Sequence, residues 1–407
     1  MTYALRNHFP ERFQGPTSSE FITYISTGDT PKLSCDCVIK EERLKRPNYC
    51  QNQNFAPILQ FGSVYRDPWI LPSVQTMPVW PHLPCFAEWQ REGTICEELK
   101  LRRDVAGKLG GEEPLDESSS VWNALIPTMI WRGSDYFFLI CIHPNLLPVE
   151  WNRDIAPRLE SFGKSARGVV QSLLDMWDNL TPRWKGLTLT AIAKLDAEEA
   201  KQQQPSVPWI DIKFTVKSKV HGHEVEPDII RYEPFQDYGI DATSESMSLA
   251  QFSQYKYHID IGGGGGTTWY GTAEKLGMPG VLFHHLSASK DYFHDDLKPW
   301  VHYIPINEDM SNLREMYDWA EEHSEGARKI SEAGIEYVKN QARPEVMKAK
   351  YEKYFFHTLK GVIDAYQPIQ NDDAKAQVDN WLSNWSLVGK CNGHDEICDL
   401  KNWRIED

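Results

Sequence analysis

Five consecutive glycines, Gly262 to Gly266, separate a predicted strand from a predicted helix. The segment Gln254 to Ile261 is a strand candidate, and the sequence from Thr268 to Leu276 favours a helix. A glycine turn between a strand and a helix exposes backbone N–H groups that can bind a diphosphate, and Thr267 or Thr268 can cap the helix while reaching an oxyanion. A flexible hinge is the alternative, because five glycines fit no specific phosphate-binding register.

Strands and helices alternate along most of the chain, which predicts an α/β protein with a mostly parallel, doubly wound sheet. The stretch from Lys108 to Ser120 combines glycine, proline, serine and acidic residues and is interpreted as a linker. The further predicted strands are Ile58–Val64, Trp122–Trp131, Pro208–Val216, Gly280–His285 and Trp300–Ile306. Helices are predicted over residues 87–103, 165–180, 313–320 and 344–366.

The formal net charge of −15 argues against nucleic acid and anionic membrane surfaces as partners. No apolar run is long enough to span a bilayer, and residues 1–16 lack the apolar centre of a signal peptide. The chain is therefore expected to be cytosolic, or to have lost a leader or anchor. The eight cysteines lack zinc-ligand spacing, which leaves disulfides, including one between Cys391 and Cys398, or free thiols. Two glycosylation sequons, at Asn179 and Asn384, fit a secretory route.

Arg132, Gly133 and Ser134 follow a second predicted strand of the same sheet. Ligands of open α/β sheets bind beyond the carboxyl ends of the strands, so Arg132 and the glycine run are expected to converge on one crevice. A guanidinium matches phosphate oxygens with paired hydrogen bonds. The alternative is a surface ion pair between Arg132 and Asp135.

Histidines give two further candidates. The sequence His221-Gly222-His223-Glu224 is predicted to form a hairpin turn rather than a metal site. His284 and His285 end a predicted strand, where one of them contacts a nucleotide or acceptor or both are ordinary buried histidines.

Several sequence blocks closely resemble glycosyltransferase family 90, which contains the protein O-glucosyltransferases and the capsule-associated xylosyltransferases. The longest block is Leu297 to Ile306, which reads LKPWVHYIPI, and Asp309 to Leu313 follows it. Tyr255 to Tyr257 before the glycines and Val281 to Phe283 agree as well. The resemblance covers residues 255–366 and includes Arg132-Gly133-Ser134, together with Tyr65-Arg66-Asp67 as a second strand end.

The resemblance implies a GT-B fold, in which two Rossmann-like domains face a cleft and a C-terminal helix crosses back. The implied organisation is an acceptor-side domain (1–118), a donor domain (119–343), a crossing helix (344–366) and an acidic tail (367–407). It also implies transfer of glucose or xylose, with inversion, from a UDP-sugar co-substrate to a hydroxyl of a glycan or protein. Asp67 matches the family's general base. The candidate donor-binding residues are Arg132, Gly133, Ser134, Gly264, Gly265, Gly266, Thr267, Thr268 and Lys275.

One departure from the family concerns the diphosphate: Thr272 stands where an arginine is expected. Either a divalent metal such as Mn²⁺ helps, although the sequence does not require one, or a lysine substitutes for the arginine. Lys275 is the simplest substitute, and Lys256 and Lys290 are the others. The departure leaves open an inactive sugar- or nucleotide-binding protein that keeps the fold. Relatives imply the lumen of the endoplasmic reticulum or Golgi, and a cytoplasmic location stays open.

Overall fold

The computed structural model describes most of residues 122–365 and short segments elsewhere. The described segments before it are residue 9 and residues 24–25, 58–60, 62–64 and 74–76, and those after it are residues 372, 373, 376 and 380. Within residues 122–365 the gaps are 136–145, 147–148, 201–206, 216–218, 221–222, 225–228, 263–270, 288, 292 and 342. All eight cysteines, the predicted helix at 87–103 and the predicted linker lie outside the described residues.

Strands and helices alternate through the described region as predicted. The strands are β1 (Tyr24–Ile25), β2 (Ile58–Gln60), β3 (Gly62–Val64), β4 (Val74–Thr76), β5 (Ile126–Gly133), β6 (Ile210–Thr215), β7 (Lys219–Val220), β8 (His223–Glu224), β9 (Thr243–Ser244), β10 (Tyr255–Asp260), β11 (Val281–His285), β12 (Ser289–Asp291) and β13 (Ile304–Ile306). The α-helices are α1 (Leu159–Phe162), α2 (Ala166–Asp175), α3 (Pro182–Ala200), α4 (Ile229–Asp237), α5 (Leu249–Phe252), α6 (Gly271–Leu276), α7 (Leu313–Glu322), α8 (Ser324–Gln341), α9 (Pro344–Lys350) and α10 (His357–Ala365).

Six strands form one sheet in the order β13-β11-β10-β5-β6-β9, and every neighbouring pair is parallel. Numbered by their sequence within this sheet, the strands follow the order 3-2-1-4-5-6, which is the order of dinucleotide-binding folds. The prediction of a parallel, doubly wound sheet is confirmed. The GT-B arrangement of two such domains stays a prediction.

The other described strands form smaller β elements. Strands β1, β2 and β4 form a parallel sheet, and β3 pairs with β12 in antiparallel fashion. Strands β7 and β8 form an antiparallel hairpin with Val220 opposite His223. The hairpin predicted around His221 to Glu224 is therefore confirmed.

The strands of the sheet differ in which of their residues are buried. In β6, Ile210, Ile212 and Phe214 are buried and alternate with half-buried polar residues, whereas every residue of β11 is buried, as expected for a strand covered on both faces. Helix α3 lies close to β6: a methyl group added at Gly186 would come within 2.6 Å of Ile212 Cδ1. This close approach explains the glycine in the middle of a helix.

Some predicted boundaries are wrong. The strand predicted at Trp122 begins only at Ile126, after a helical turn. The strand predicted from Trp300 is limited to β13, because Trp300 adopts a left-handed φ of 62° in the turn before it. Helix α3 was not predicted, although Thr181-Pro182 is a helix-start signal. The final predicted helix is present as α9, a π-helical segment and α10 in succession.

The chain divides into two compact units. One consists of Met1–Ile22, Lys217–Glu226 and Leu359–Asp407, and its described part includes the β7–β8 hairpin. The other consists of Thr23–Val216 and Pro227–Thr358 and contains the six-stranded sheet. The predicted boundaries at residues 118, 343 and 366 stay predictions. None of the described helices combines the length and apolarity needed to cross a membrane.

Candidate functional site

The strand order of the sheet defines a switch point between β5 and β10. The chain leaves β5 towards β6 on one side and leaves β10 towards β11 on the other. In open α/β sheets, the crevice outside the carboxyl ends of two such strands binds ligands. Ser134 follows β5, and Gly262, the first glycine of the run, follows β10 by two residues. The structure thus brings these two predicted loops to one place.

Arg183 bridges the two strand ends at this switch point. Its Nη1 donates to the carbonyl oxygen of Ser134 at 2.5 Å, and its Nη2 donates to that of Ile261 at 3.1 Å. The guanidinium also lies 5.0 Å from the ring centre of Trp131, and only 9% of the residue is exposed. These two contacts orient the guanidinium towards the point where the two strand ends meet.

The start of α3 explains where Arg183 lies. Thr181 Oγ1 accepts a hydrogen bond from the Trp184 amide at 3.4 Å, and Pro182 is the first helical residue. Both features are typical of a helix N-terminus, and they place Arg183 in the first turn beside the sheet. Sequence reasoning missed Arg183 because the helix itself was not predicted.

Gly133 lets the end of β5 pass close to an aromatic ring. A Cβ atom at this position would lie 2.5 Å from Trp131 Cζ2, which is closer than atoms can approach without a shift. Any larger residue at Gly133 would therefore displace the Trp131 ring on which Arg183 lies.

Asp260, the last residue of β10, organises a buried polar cluster at the same edge. It is fully buried and accepts hydrogen bonds from Thr272 Oγ1 at 2.7 Å, from His284 Nδ1 at 2.8 Å and from the His285 amide at 3.2 Å. Burial raises the pKa of Asp260, but His284, Lys275 and Thr272 together outweigh burial and hold this pKa below its usual range. Asp260 is therefore ionised.

Thr272, which stands where the family arginine is expected, is fully buried and directed at Asp260. Lys275 follows in the same short helix, α6, and is half-buried. Burial lowers the pKa of Lys275, and Asp260 opposes this shift by attraction whereas Arg183 reinforces it by repulsion. Lys275 thus lies within electrostatic range of both the acidic cluster and the switch-point arginine.

The other candidate lysines are placed differently. Lys256 is the second residue of β10, at the opposite end of that strand from Asp260, and its ammonium lies 5.3 Å from the ring centre of Trp122. Lys290 belongs to β12, which pairs with β3. Lys275 is therefore the candidate lysine that the structure brings to Asp260.

Arg132 turns away from the switch point. Its guanidinium forms an ion pair with Asp211 of β6 at 2.5 Å and donates to the Asp211 carbonyl at 2.7 Å. The alternative pairing of Arg132 with Asp135 is wrong, because Asp135 pairs with Arg231 at 3.1 Å. Burial raises the pKa of Asp135, although Arg231 opposes the shift. The donor-binding role of Arg132 stays a prediction.

A cavity of about 350 Å³ lies at the amino-terminal edge of the sheet. The first residues of three strands, Ile126, Ile210 and Tyr255, line it together with residues of α3. Its charged wall contains Asp211 and Lys213, which also forms an ion pair with Asp241. This cavity is at the other end of the strands from Asp260.

The general-base candidate and most of the glycine turn lie outside the described residues: Asp67, Gly264, Gly265, Gly266, Thr267 and Thr268. Within the part of the chain that the structure describes, no group of three or more His, Cys, Asp or Glu side chains is arranged to hold a metal ion.

The part of the chain that matches a known protein family contains part of this site. Residues 221–375 match the family model described as Glycosyl transferase family 90. This part of the chain is therefore similar to glycosyltransferase family 90. The family 90 region includes β10, α6, β11 and β13 and therefore one side of the switch point and the whole Asp260 cluster. Arg183 lies outside it.

Curated relatives share only parts of their length with this chain. Protein O-glucosyltransferase 2 of Danio rerio is 35% identical over 109 residues, which cover 27% of this chain and 21% of the relative. Protein O-glucosyltransferase 3 of Homo sapiens is 27% identical over 189 residues, which cover 46% of this chain and 35% of the relative. Protein O-glucosyltransferase 1 of Homo sapiens is 26% identical over 110 residues, covering 27% of each. The chain thus spans about a fifth to a third of these relatives' length.

Proposed function

We propose that this chain is a UDP-sugar-dependent glycosyltransferase that transfers glucose or xylose, with inversion, to a hydroxyl of a protein or glycan. The family 90 match and the names of the relatives support sugar transfer. The observation that carries the proposal is the position of Arg183, which joins the two strand ends of the switch point next to Gly262. A cation fixed at this point suits a diphosphate, because charge-assisted hydrogen bonds to phosphate are strong and directional.

The diphosphate-binding set in this proposal is Arg183, Lys275, Ser134 and the amides of the glycine turn. Arg183 and Lys275 have a large role in this acidic protein, because they offset the negative charge that grows on the leaving UDP. Arg183 reaches the switch point with its orientation already fixed by two carbonyl oxygens, so little entropy is lost on binding. Because Arg132 is already paired with Asp211, it supports the end of β5 instead.

The chemical step needs a base on the acceptor side. In this proposal Asp67 removes the proton of the acceptor hydroxyl while its oxygen attacks the anomeric carbon from the face opposite UDP. The bond to the anomeric carbon forms as the bond to the UDP oxygen breaks, so a single displacement inverts the configuration. The proposed setting is a GT-B cleft in a lumenal compartment of the secretory pathway, as in the family that the sequence resembles.

A screen of UDP release tests the proposal. The chain is incubated with UDP-glucose, UDP-xylose, UDP-galactose and UDP-N-acetylglucosamine, with and without Mn²⁺, and free UDP is measured. We expect release from one or two donors, and Asp67→Asn is expected to abolish release while UDP binding is kept. Turnover that persists in Asp67→Asn contradicts the assigned base.

A second function is favoured by one observation. Thr272 stands where the family has an arginine, and its hydroxyl donates a hydrogen bond to Asp260. The chain therefore has no cationic side chain at that sequence position. A protein of this kind would bind a UDP-sugar without transferring it. Tight UDP binding with no UDP release from any donor identifies this alternative, and no UDP binding at all contradicts both functions.

A further inference from the structure

His284 is held in one orientation by a buried carboxylate. Its Nδ1 lies 2.8 Å from both oxygens of Asp260, and the two residues are direct neighbours across β10 and β11. An ionised carboxylate only accepts hydrogen bonds, so Nδ1 carries the hydrogen of this contact. The tautomer and the plane of the ring are thereby fixed, and Nε2 is the polar atom that the pair leaves for another partner.

Packing further restricts the ring. Tyr303 and His294 contact it edge to face, with ring centres at 4.9 Å and 5.1 Å. The His284 side chain nevertheless keeps 9% of its surface exposed, whereas Asp260 is completely buried. Among the described residues, none forms a hydrogen bond with His284 Nε2. A buried dyad with one accessible polar atom is therefore present at the carboxyl edge of β11.

The location of the dyad suggests its use. His284 is the fourth of five residues in β11, and β11 adjoins β10, one of the two strands of the switch point. A ligand whose diphosphate lies at the switch point extends over the neighbouring strand ends. Resting on the proposed function, we infer that His284 Nε2 forms a hydrogen bond with a hydroxyl of the donor sugar, and that Asp260 is its positioning residue.

Charge balance favours a hydroxyl over a phosphate oxygen. If His284 is protonated, the pair with ionised Asp260 has no net charge, and if it is neutral, the pair is negative. In neither state does the dyad add positive charge for the diphosphate. A sugar hydroxyl both donates and accepts, so it matches Nε2 in either state. The dyad therefore contributes to the choice of the sugar rather than to the affinity for UDP.

Two substitutions test the roles of the two nitrogen atoms of His284 separately. An asparagine amide reaches approximately the position of Nδ1, so His284→Asn keeps the donor to Asp260 and removes the group at Nε2. A glutamine amide reaches approximately the position of Nε2, so His284→Gln keeps the outer group. The matched control is His285→Asn. His285 is the next residue of the same strand, its side chain points to the other face, and its Nε2 donates to the Glu308 carbonyl at 2.9 Å.

The experiment compares the dissociation constants of UDP and of the preferred UDP-sugar by calorimetry. In the wild-type chain the UDP-sugar is expected to bind more tightly than UDP. His284→Asn is expected to weaken UDP-sugar binding about tenfold and to leave UDP binding unchanged, the size expected for one buried hydrogen bond. His284→Gln should retain part of the difference, and His285→Asn should retain all of it.

The outcomes distinguish this inference from the proposed function. If wild-type protein binds no UDP, the proposed function fails and the inference fails with it. If UDP binds but His284→Asn weakens UDP and UDP-sugar equally, or changes neither, the inference alone is overturned. Should His284→Asn fail to fold, UDP-sugar analogues that each lack one hydroxyl are compared on wild-type and His284→Gln protein. The inference then requires one hydroxyl whose removal costs less in the variant, and equal costs overturn it.

Discussion

Two regions of the six-stranded sheet, the cavity and the switch point, use their charged residues in different ways. Beside the cavity, Asp211 pairs with Arg132 and Lys213 pairs with Asp241. At the carboxyl edge, Arg183 donates to two uncharged carbonyl oxygens. The charged groups beside the cavity are paired with one another, whereas Arg183 is oriented towards the point where the two strand ends meet. The proposed UDP site lies at the switch point, at the carboxyl edge of the sheet.

The largest expected effect comes from Arg183→Gln. Removing the switch-point cation should weaken UDP binding about 100-fold, as expected for loss of a charge-assisted pair with phosphate. Arg183→Lys keeps the charge but cannot bridge Ser134 and Ile261, and it should recover part of the loss. Calorimetry with UDP measures both variants. A larger loss in Arg132→Gln than in Arg183→Gln would contradict the assignment of the diphosphate to Arg183.

The ion pair between Arg132 and Asp211 is tested by Asp211→Asn. Arg132 then keeps its carbonyl acceptors but loses its carboxylate, and the free energy of unfolding should fall by about 2 kcal/mol. Urea denaturation measures this change, and the affinity for UDP should stay within twofold of wild type. The matched control is Lys194→Met, which lines the same cavity and has no ion pair within the described part of the chain. A tenfold change in UDP affinity in Asp211→Asn contradicts the account.

Acid should weaken the carboxyl edge through His285. Burial lowers the pKa of His285 to about 4, so the unfolded chain binds a proton in the range between about pH 6.5 and about pH 4 that the folded chain does not. Stability from this residue is therefore lost as the pH falls through that range. Between about pH 7.5 and about pH 5 the loss should be about 2 kcal/mol. The free energy of unfolding is measured across this pH range for the wild-type chain and for His285→Asn, and the difference between the two curves gives the contribution of His285. If both curves have the same pH dependence, the prediction is contradicted.

The smallest expected effect is that of Lys275→Met. The lysine is half-buried and partly compensated by Asp260, so its removal should weaken UDP binding about fivefold. Lys275→Arg should preserve most of the affinity. If Lys275→Met binds UDP as well as wild type while Arg183→Gln does not, the diphosphate depends on Arg183 and the glycine turn alone.

The sequence predicts the periodic part of the fold and the loops that meet at the site. Strands β5, β6, β10 and β11 coincide with segments that the sequence predicts as strands, and the glycine run marks the end of β10. Arg132 illustrates what local sequence does not specify. It stands at the predicted strand end, but its side chain turns back to Asp211, which is 79 residues away in sequence.

Arg183 is a residue that the sequence did not single out and that the fold places at the site. Its residue type and the preceding Thr181-Pro182 are visible in the sequence, but its partners are 49 and 78 residues away. They are known only once β5 and β10 are neighbours in the sheet. Thr272 likewise follows a local pattern, and only the fold shows that it serves Asp260. Contacts that depend on strand order, rather than on periodicity, are the ones that sequence reasoning misses.

Hydrogen–deuterium exchange with and without UDP tests the central claim most directly, because it reports both edges of the sheet in one experiment. The account predicts that UDP slows exchange at the carboxyl edge, in peptides covering residues 131–135, 261–276 and the start of α3. Peptides that cover residues 207–213 and the end of α3, beside the cavity, should exchange at unchanged rates. Protection of the cavity peptides with no change at residues 261–276 would contradict the account.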